Sequence, residues 1–585
     1  MERRVFIAIF LAFLVMYVFQ TYIAPPPPPQ KPAAAAQRPA TTPSSTGAAG
    51  APAAAAAATA SAAPAAPLPA ALTSDTAEHE IVVDTRTVEV VLSNRGGRVL
   101  HWRLKDYLDD VGKPLDLVPS DLPSTEATPF SLSVDDHAIS QRLNAVLYKP
   151  SVNDARIDAT ATSATVAFDY QDAAGLRVHK EFRFEPQSYV VTFSANVMAG
   201  DRAFNPSILW GPGLGDIGAT TAGGSFFTGN YVQPPQAIFE QNDKVERLAG
   251  TKVGESPTHE GQFKFAGVDD HYFIATAVNP GQARVEFRPV TVVDAPATNQ
   301  TSRQFIAQSI RVAGAAKNVR FFVGPKQFDT LQSVDQELVK AINFGIFAWL
   351  VIPLLGALKW VHSFVGNYGG SIIVLTILIN LVMFPLRHKS VVSMRKMQGI
   401  QPQVKAIQDR YANLKMSDPA RQKMNTEIMN LYREKGVNPA SGCVPMLLTF
   451  PVLIAFYSLL QQSIELRGAD FGLWIHDLSQ HDPYYITPLL MGVTMFWQQR
   501  ITPASVDPAQ QRMMMIMPVV FTAMFLRFPS GLAIYYLVSN MFQIAQQYFT
   551  TWLIGPPVVQ TPRPPAERRL KNAGTGRTAG AERRN

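Results

Sequence analysis

The chain has 585 residues, of which 47% are hydrophobic and 17% charged, whereas soluble domains carry about 25% charged residues; this argues against a single soluble enzyme domain. The net charge of +7 hides a split: residues 346–585 hold 23 Lys and Arg against 11 Asp and Glu, leaving 29 against 34 for residues 1–345. A half that is both basic and apolar suggests a membrane protein with cytosolic loops more than a nucleic-acid binder, and the single cysteine, Cys443, rules out an intrachain disulfide and any zinc site needing two cysteines.

Met1-Glu2-Arg3-Arg4 precedes an apolar run from Val5 to Phe19. No small-x-small cleavage site is evident and prolines 25–29 follow Ala24, so residues 1–23 are expected to be an uncleaved transmembrane anchor with its basic end in the cytosol. Residues 24–71, nearly all Ala, Pro, Thr, Ser and Gly, read as an extended linker. From residue 72 to 328 short β-rich runs predict a large exported β-sandwich. Examples are Ile81-Val82-Val83, Thr165-Val166-Ala167-Phe168, Tyr272-Phe273-Ile274-Ala275, Arg284-Val285-Glu286-Phe287 and Val319-Arg320-Phe321-Phe322. Asp135-Asp136-His137 and Asp269-Asp270-His271 resemble metal fragments but lack spatially separate ligands. No phosphate-loop, nucleophile-elbow or HExxH motif occurs, so no metal, cofactor or chemical reaction is expected.

Leu331, Val334, Leu338, Val339 and Ile342 make a helical stripe that predicts an interfacial amphipathic helix over 329–350. Five core spans follow within 351–553: about 364–386, 443–460, 484–497, 513–528 and 531–553, judged against the roughly 20 residues a bilayer needs. The third and fourth look short. Loop 387–436 carries 11 Lys and Arg against 4 acids, tail 554–585 carries 7 against 2, and loop 462–482 one Arg against four acids. With the anchor, six spans and both ends in the cytosol put every loop on its expected side and the sandwich outside, in the periplasm of a Gram-negative cell. In loop 387–436, Ile400, Val404, Ile407 and Tyr411, then Met424, Ile428 and Leu431, predict an antiparallel helical hairpin broken at Ser417-Asp418-Pro419. Thr376 and Asn380 share a helix face, Arg387 lies seven residues on, and Thr449, Thr522, Tyr535, Tyr536, Ser539 and Asn540 add polarity that is costly unless it meets water or a partner. Fifteen of 18 methionines lie between Met383 and Met541, a flexible apolar surface suited to varied ligands.

Gly442-Cys443-Val444-Pro445 with Phe450-Pro451, Ser463-Ile464-Glu465-Leu466-Arg467, Leu473-Trp474-Ile475-His476-Asp477-Leu478 and Phe528-Pro529-Ser530-Gly531-Leu532 followed by Tyr535-Tyr536 resemble the bacterial YidC membrane-protein insertase family. The match is dense over 345–553, and the chain looks like the Gram-negative form. The resemblance implies a polytopic α-helical membrane protein of six spans with a periplasmic β-sandwich and a cytosolic hairpin. It would act as an insertase and chaperone for nascent membrane proteins, alone or with the Sec translocon (SecYEG and SecDF). The hairpin and basic tail would meet ribosome and targeting factors, and the spans would meet membrane lipids; no sequence-specific nucleic-acid binding is expected. The family usually has a cation in its groove on the first core span; here Asn380 takes that position, and Arg387 is either a partial substitute or a positive-inside anchor. By the same match Thr376, Phe450, Tyr535 and Tyr536 are candidate groove contacts. A solute transporter and a membrane scaffold for complex assembly are the rival readings. An intramembrane protease built on Ser530 lacks a base.

Overall fold

A computed structural model describes residues 69–555 apart from 110, 120–125, 215–232, 294–301, 315, 412–419, 438–443 and 503–507. The anchor 1–23, nearly all of the linker 24–71, Cys443, the hairpin turn at 417–419 and the tail beyond 555 lie outside the described residues.

Period-two patterning builds the first half. In Ala164–Asp172 every second residue is buried, and Leu176–Phe184 repeats the pattern, so one face of each strand points into a core. Among the described residues the strands form sheets of fourteen and five members. The main path of the larger runs Ala71–Thr73, Ala164–Asp172, Leu176–Phe184, Val190–Ala199, Val319–Pro325, Phe273–Val293, Thr258–Asp269, Gln236–Gln241 and Lys244–Ala249. The smaller runs Pro114–Asp116, Arg98–Leu108, Val88–Ser93, Glu80–Asp84 and Arg156–Asp158, its last pair parallel. Their inner faces share one core, with Trp102 of the small sheet tilted on Phe184 of the large one at 6.3 Å. The segments around Ile274 and Val285, which the sequence reads as two strands, are one: Phe273–Val293 bends at Asn279 (φ 51°) and Gly281 (φ 71°). Its first part pairs with Val319–Pro325 and its second with Ser302–Val312.

Phe130 is the hub of this core. Its ring meets Phe182, Phe193, Trp210 and Phe321 at 5.1–6.0 Å, and that packing holds its backbone in the left-handed region at φ 64°. Beside it Lys180 is fully buried, with no acidic partner among the described residues. Its ammonium donates to the carbonyls of Gly96 (2.6 Å), Gly97 (3.2 Å) and Phe130 (3.1 Å). Asp136 caps the helix His137–Ala145 (α1) through Ile139 N–H, an ordinary helix start.

Among the described residues, eight further helices of at least seven residues matter to the core. They are α3 (Phe328–Val334), α4 (Ala348–Val365), α5 (Tyr368–Arg410), α6 (Ala420–Glu434), α7 (Val444–Gln462), α8 (Ile486–Ile501), α9 (Pro508–Phe525) and α10 (Ser530–Ile554), with the short α2 (Gly250–Glu255) in the β-domain. The expected single helix over 329–350 is corrected. Asp335 ends α3, and its carboxylate accepts from Glu337 N–H, so the side chain competes with helix continuation. Short 3-10 turns at Glu337–Ala341 and Gly345–Phe347 follow. The stripe is buried against the β-domain instead: Leu331, Leu338 and Ala341 are buried, and Arg247 donates to the carbonyls of Lys340 and Ala341. The amphipathic helix is α4. It buries Val351, Leu355, Leu358 and Val361 and exposes Trp349, Ile352, Trp360 and Phe364. Phe344, just before it, accepts from Ser458, while Lys359, farther along, pairs with Glu465 at 2.8 Å. Ser458 and Glu465 flank the last turn of α7, so α4 runs across the end of that helix rather than beside its length.

α5 continues without a break for 43 residues through Pro385 and Pro402, roughly 64 Å at 1.5 Å per residue, so the first core span and the first hairpin helix are one rod. Its distal half buries Ile400, Val404 and Ile407 and is tied to α6 by Arg410–Glu427 and Tyr411–Glu427, each 3.0 Å. Among the described residues two helices are both long and apolar enough to cross a membrane, Gly345–Val365 and Tyr368–Arg410; Phe450–Gln462 and Met515–Phe525 are shorter apolar stretches.

Burial, and secondarily the nearby Arg98, pushes the Lys180 ammonium down to about 7. The unfolded chain, with an ordinary lysine near 10.4, then binds more protons between pH 7 and 10, so stability rises with pH across that window. Tryptophan-monitored unfolding of the full-length protein is expected to show a rising midpoint from pH 7 to 10, and Lys180→Met is expected to lose that rise.

Candidate functional site

Polar side chains within the apolar helices converge on the contact between α5 and α10. Thr376 and Asn380 are buried on α5, at 0% and 2% exposure. The Thr376 hydroxyl donates to Ile372 O (2.6 Å), its own helix. The Asn380 amide donates to Thr376 O (2.8 Å) and to the Ser539 hydroxyl of α10 (3.2 Å). Arg387, two turns farther, reaches back: its guanidinium donates to Asn380 Oδ1 at 2.6 Å. This follows from geometry, since helical side chains lean toward the N-terminus and seven residues return to the same face. The structure therefore brings Asn380 and Arg387 into one bonded pair and joins both to α10.

Tyr535 and Tyr536 anchor α10 to two other helices. Tyr535 stacks on Phe456 of α7 (4.2 Å, 17°), and Tyr536 meets Phe525 of α9 edge-on at 5.0 Å. Phe450 stands on the exposed surface of α7. Thr522 donates to Pro518 O and lies so close to Gly492 of α8 that a Cβ there would sit 2.1 Å from its hydroxyl.

Several partners escape a residue-by-residue reading. Gln546 donates to Phe384 O (3.2 Å), His388 meets the Thr550 hydroxyl (3.1 Å), and Arg395 donates to Thr551 Oγ1 and Gly555 O, each 2.5 Å. On the other side of α10, Gln543 bonds Gln498 of α8 (2.6 Å) and Tyr548 accepts from Trp497 (3.2 Å). The signal was present in the spacing: Ser539, Gln543, Gln546 and Thr550 recur three or four apart in an apolar helix, a polar stripe at helical period.

The end of the helices nearest the β-domain is closed. Residues 463–485 fold over it, with Leu466, Leu478 and Ile475 buried. Ser530 N–H donates to Gln480 O (2.7 Å), Gly531 N–H to Leu478 O (3.1 Å) and the Ser530 hydroxyl to Asp477 O (3.2 Å). The loop is tied down by Asp482, whose carboxylate accepts from Trp474 Nε1, Tyr484 N, Thr487 N and Thr487 Oγ1 at 2.8–3.0 Å. Burial pushes the Asp482 carboxyl up, but the Thr487, Tyr484 and Trp474 donors outweigh it and hold it below the ordinary carboxylate range. Phe471 of the same loop covers Gly369 at the start of α5, where a Cβ would lie 2.0 Å from its ring. The β-domain joins at this point. His271 bonds Gln461 O at the end of α7 (2.9 Å) and accepts from Gln233 N–H, while Arg467 lies over the rings of Tyr272 and Phe273. Asp269 is engaged by Lys326 and Gln233 and Asp270 caps Tyr272 and Phe273 N–H. Asp136, Asp269, Asp270 and His271 of the two acidic triplets thus serve the fold, and among the described residues no group of three or more His, Cys, Asp and Glu is placed to hold a metal ion.

Because the Asp482 carboxyl is depressed, its contribution is present above about pH 4, the unfolded value, and is lost as pH falls through the folded value. Asp482→Ala is expected to cost about 2–4 kcal/mol by removing charge-assisted bonds and stranding donors. The readout is the thermal midpoint in detergent together with cysteine-labelling of the buried loop from the β-domain side.

A model of the YidC periplasmic domain matches residues 80–357, and one of the 60Kd inner membrane protein family matches residues 360–554. Among relatives described as membrane protein insertase YidC, that of Geobacter metallireducens is 34% identical over 507 residues, covering 83% of this chain and 87% of the relative. That of Geobacter sulfurreducens is 35% identical over 474 residues, covering 80% and 85%. That of Geotalea daltonii is 34% identical over 554 residues, covering 94% and 99%. Among solved structures, an active YidC insertase with its first transmembrane domain resolved is 19% identical, covers 82% of this chain and 94% of that one, and gives a TM-score of 0.33. This chain belongs to the YidC membrane protein insertase family, which joins an inner-membrane core to a periplasmic domain.

Proposed function

We propose that the protein inserts nascent integral membrane proteins into the inner membrane, and that the α5–α10 contact is the path along which their polar segments travel. The observation that carries this is the bonded set Arg387–Asn380–Ser539 between two apolar helices. Buried polar groups at membrane depth mark functional paths more often than packing alone requires. In this reading the anchor 1–23 and helices α5, α7, α8, α9 and α10 make six spans with both ends in the cytosol. The linker 24–71 tethers the anchor to the periplasmic sandwich, and α4 lies in the outer interface. The α5–α6 hairpin and basic tail 554–585 project into the cytosol toward ribosome and targeting factors. The Sec translocon is a partner for larger clients, and lipids contact the exposed apolar faces of α4 and α5.

The physics is a shortened dry crossing. Each unsatisfied backbone group carried through hydrocarbon costs several kcal/mol. A path with polar partners to mid-depth removes part of that distance, and α8, with 16 residues, spans roughly 24 Å against the usual 30 Å, so lipid beside it thins. The client's apolar segment then gains about 25 cal/mol per Å² on entering lipid. The membrane potential adds about 2.3 kcal/mol per charge per 100 mV on charged segments. No chemical step is required.

Thr376 and Asn380 are buried in the resting arrangement, so a client must part α5 from α10 to reach them. Arg387, half-buried, is the first cation it meets. Depletion and rescue with Arg387→Ala is expected to slow insertion of a small client with a charged translocated tail at least about tenfold, a barrier change of 1.4 kcal/mol, at normal protein level. Asn380→Ala is expected to fall between, because it frees Arg387 rather than removing it. Photocrosslinkers at 376, 380, 450 and 536 are expected to capture a stalled nascent chain. Wild-type insertion by Arg387→Ala, with no crosslink from 380 or 536, would overturn the reading. Reconstitution of the protein alone with such a client separates an insertase from a scaffold.

A further inference from the structure

The β-domain carries a cleft of about 640 Å³ that the insertion path does not use. It lies on the outer face of the larger sheet, over the strands Ser131–Ser133, Ser207–Trp210, Ser302–Val312 and the second part of Phe273–Val293. One cross-strand row runs along it. Ser133 stands opposite Ser207, Arg311 donates to Ser207 Oγ at 3.1 Å, Arg311 stands opposite Arg284, and Arg284 opposite Glu260. Two guanidiniums directly opposite on one sheet face repel, and such pairings are destabilising. In the next row Ser309 faces Glu286.

Each arginine has an acid beside it, yet loosely. Arg311 bonds Asp135 at 2.8 Å, and that carboxylate is 77% exposed. Arg284, half exposed itself, bonds Glu286 at 2.6 Å and Glu260 at 3.3 Å, both of them open to solvent. Exposed pairs of this kind hold weakly and yield to a competing anion. Arg288, two residues beyond Glu286, differs: Glu126 accepts from both of its terminal nitrogens at 2.5 and 3.3 Å and is largely covered, so it serves the fold. Trp210 and Phe287 are buried beneath the cleft and offer no ring face for stacking a neutral sugar.

We propose that Arg284 and Arg311 form an anion fork in the periplasmic domain that takes the oxyanion, phosphate or carboxylate, of a small polar ligand. Guanidinium geometry suits bidentate contact with such groups, and the hydroxyls of Ser207 and Ser309 lie in the same rows to complete the shell. The anion relieves the repulsion between the two arginines and displaces Asp135. The cleft has room for more than bare phosphate, so a phosphorylated or carboxylated small molecule fits the space.

The test is calorimetric titration of the full-length protein in detergent at low ionic strength with inorganic phosphate, glycerol 3-phosphate and glucuronate, and with glycerol as a neutral control. Saturable binding of at least one anion, with glycerol silent, is expected. Arg284→Gln and Arg311→Gln are each expected to weaken it at least about tenfold, and Asp135→Asn to strengthen it by removing the competing carboxylate. Equal affinity for phosphate and glycerol 3-phosphate assigns the fork to the free ion; tighter binding of the ester assigns it to a phosphorylated ligand. Absence of saturable binding, an unchanged response in the Arg284→Gln, Arg311→Gln double variant, or weakened binding in Asp135→Asn overturns the proposal. The last of these leaves both arginines in place and so decides the matter even where an arginine variant misfolds.

Discussion

Hydrocarbon offers no hydrogen-bond partner, so every polar side chain placed in an apolar helix must find one in a neighbouring helix or in its own backbone. That constraint orders the helical core. Thr376 spends its hydroxyl on Ile372 O; Asn380 donates to Thr376 O and accepts from Arg387 within α5, and its other N–H reaches Ser539 of α10. Arg387 in turn has a place to put its charge without facing lipid. α10 answers with a polar stripe that serves α5 on one side and α8 on the other. A set of mutually dependent bonds is a closed arrangement that can be exchanged for client or water partners, which a leucine-packed interface cannot do. Apolar replacement of buried polar sets is often no less stable, which is why the polarity here supports the proposed passage.

The same chain closes one end of the bundle and leaves the other connected to a long rod. Loop 463–485 is nailed by backbone bonds to the start of α10 and by the four donors on Asp482. His271 and Arg467 fasten the β-domain to that closure. Burial, with help from the nearby Lys326, pushes the His271 imidazole down to about 4. It is therefore neutral at ordinary pH and bonds Gln461 O through Nε2–H while Nδ1 accepts from Gln233. The joint thus combines the neutral bonds of His271 with the Arg467 cation over the Tyr272 and Phe273 rings, backed inside the β-domain by the buried ion pair Lys326–Asp269.

Much of this was legible in the sequence, and the exceptions have physical causes. The core helices fall where hydropathy and helix breakers put them, because proline and glycine at 529 and 531 and the polar loop 463–482 leave few alternatives. The hairpin seam at Ile400, Val404 and Ile407 follows from its spacing. The stripe at 331–342 misled because burial against a sheet and burial in a membrane interface ask for the same apolar residues; only Asp335, which terminates α3 through its own side chain, distinguishes them locally. The long strand Phe273–Val293 was divided because Asn279-Pro280-Gly281 is turn chemistry, and the structure uses it as a bend inside one strand. The pairing of Arg387 with Asn380 and the polar stripe of α10 were foreseeable from spacing, whereas the choice of Ser539 as the partner of Asn380 was not, because partner choice between helices depends on packing that no single-helix pattern contains.

In the proposed path, a cation at 387 rather than at 380 changes where its field acts. Seven residues are about 10.5 Å along a helix, a third of the hydrocarbon thickness, yet the guanidinium leans back to bond Asn380, so its charge sits between the two levels. A charge nearer the cytosolic face is more easily hydrated when α5 and α10 part, which lowers the cost of exposing it. Asn380 is the inner end of this pair: its carbonyl oxygen accepts from Arg387 and holds the guanidinium inward. In the proposed path the polar depth therefore rests on a bonded pair, one residue neutral and one charged, where a single buried arginine would fix it at one level.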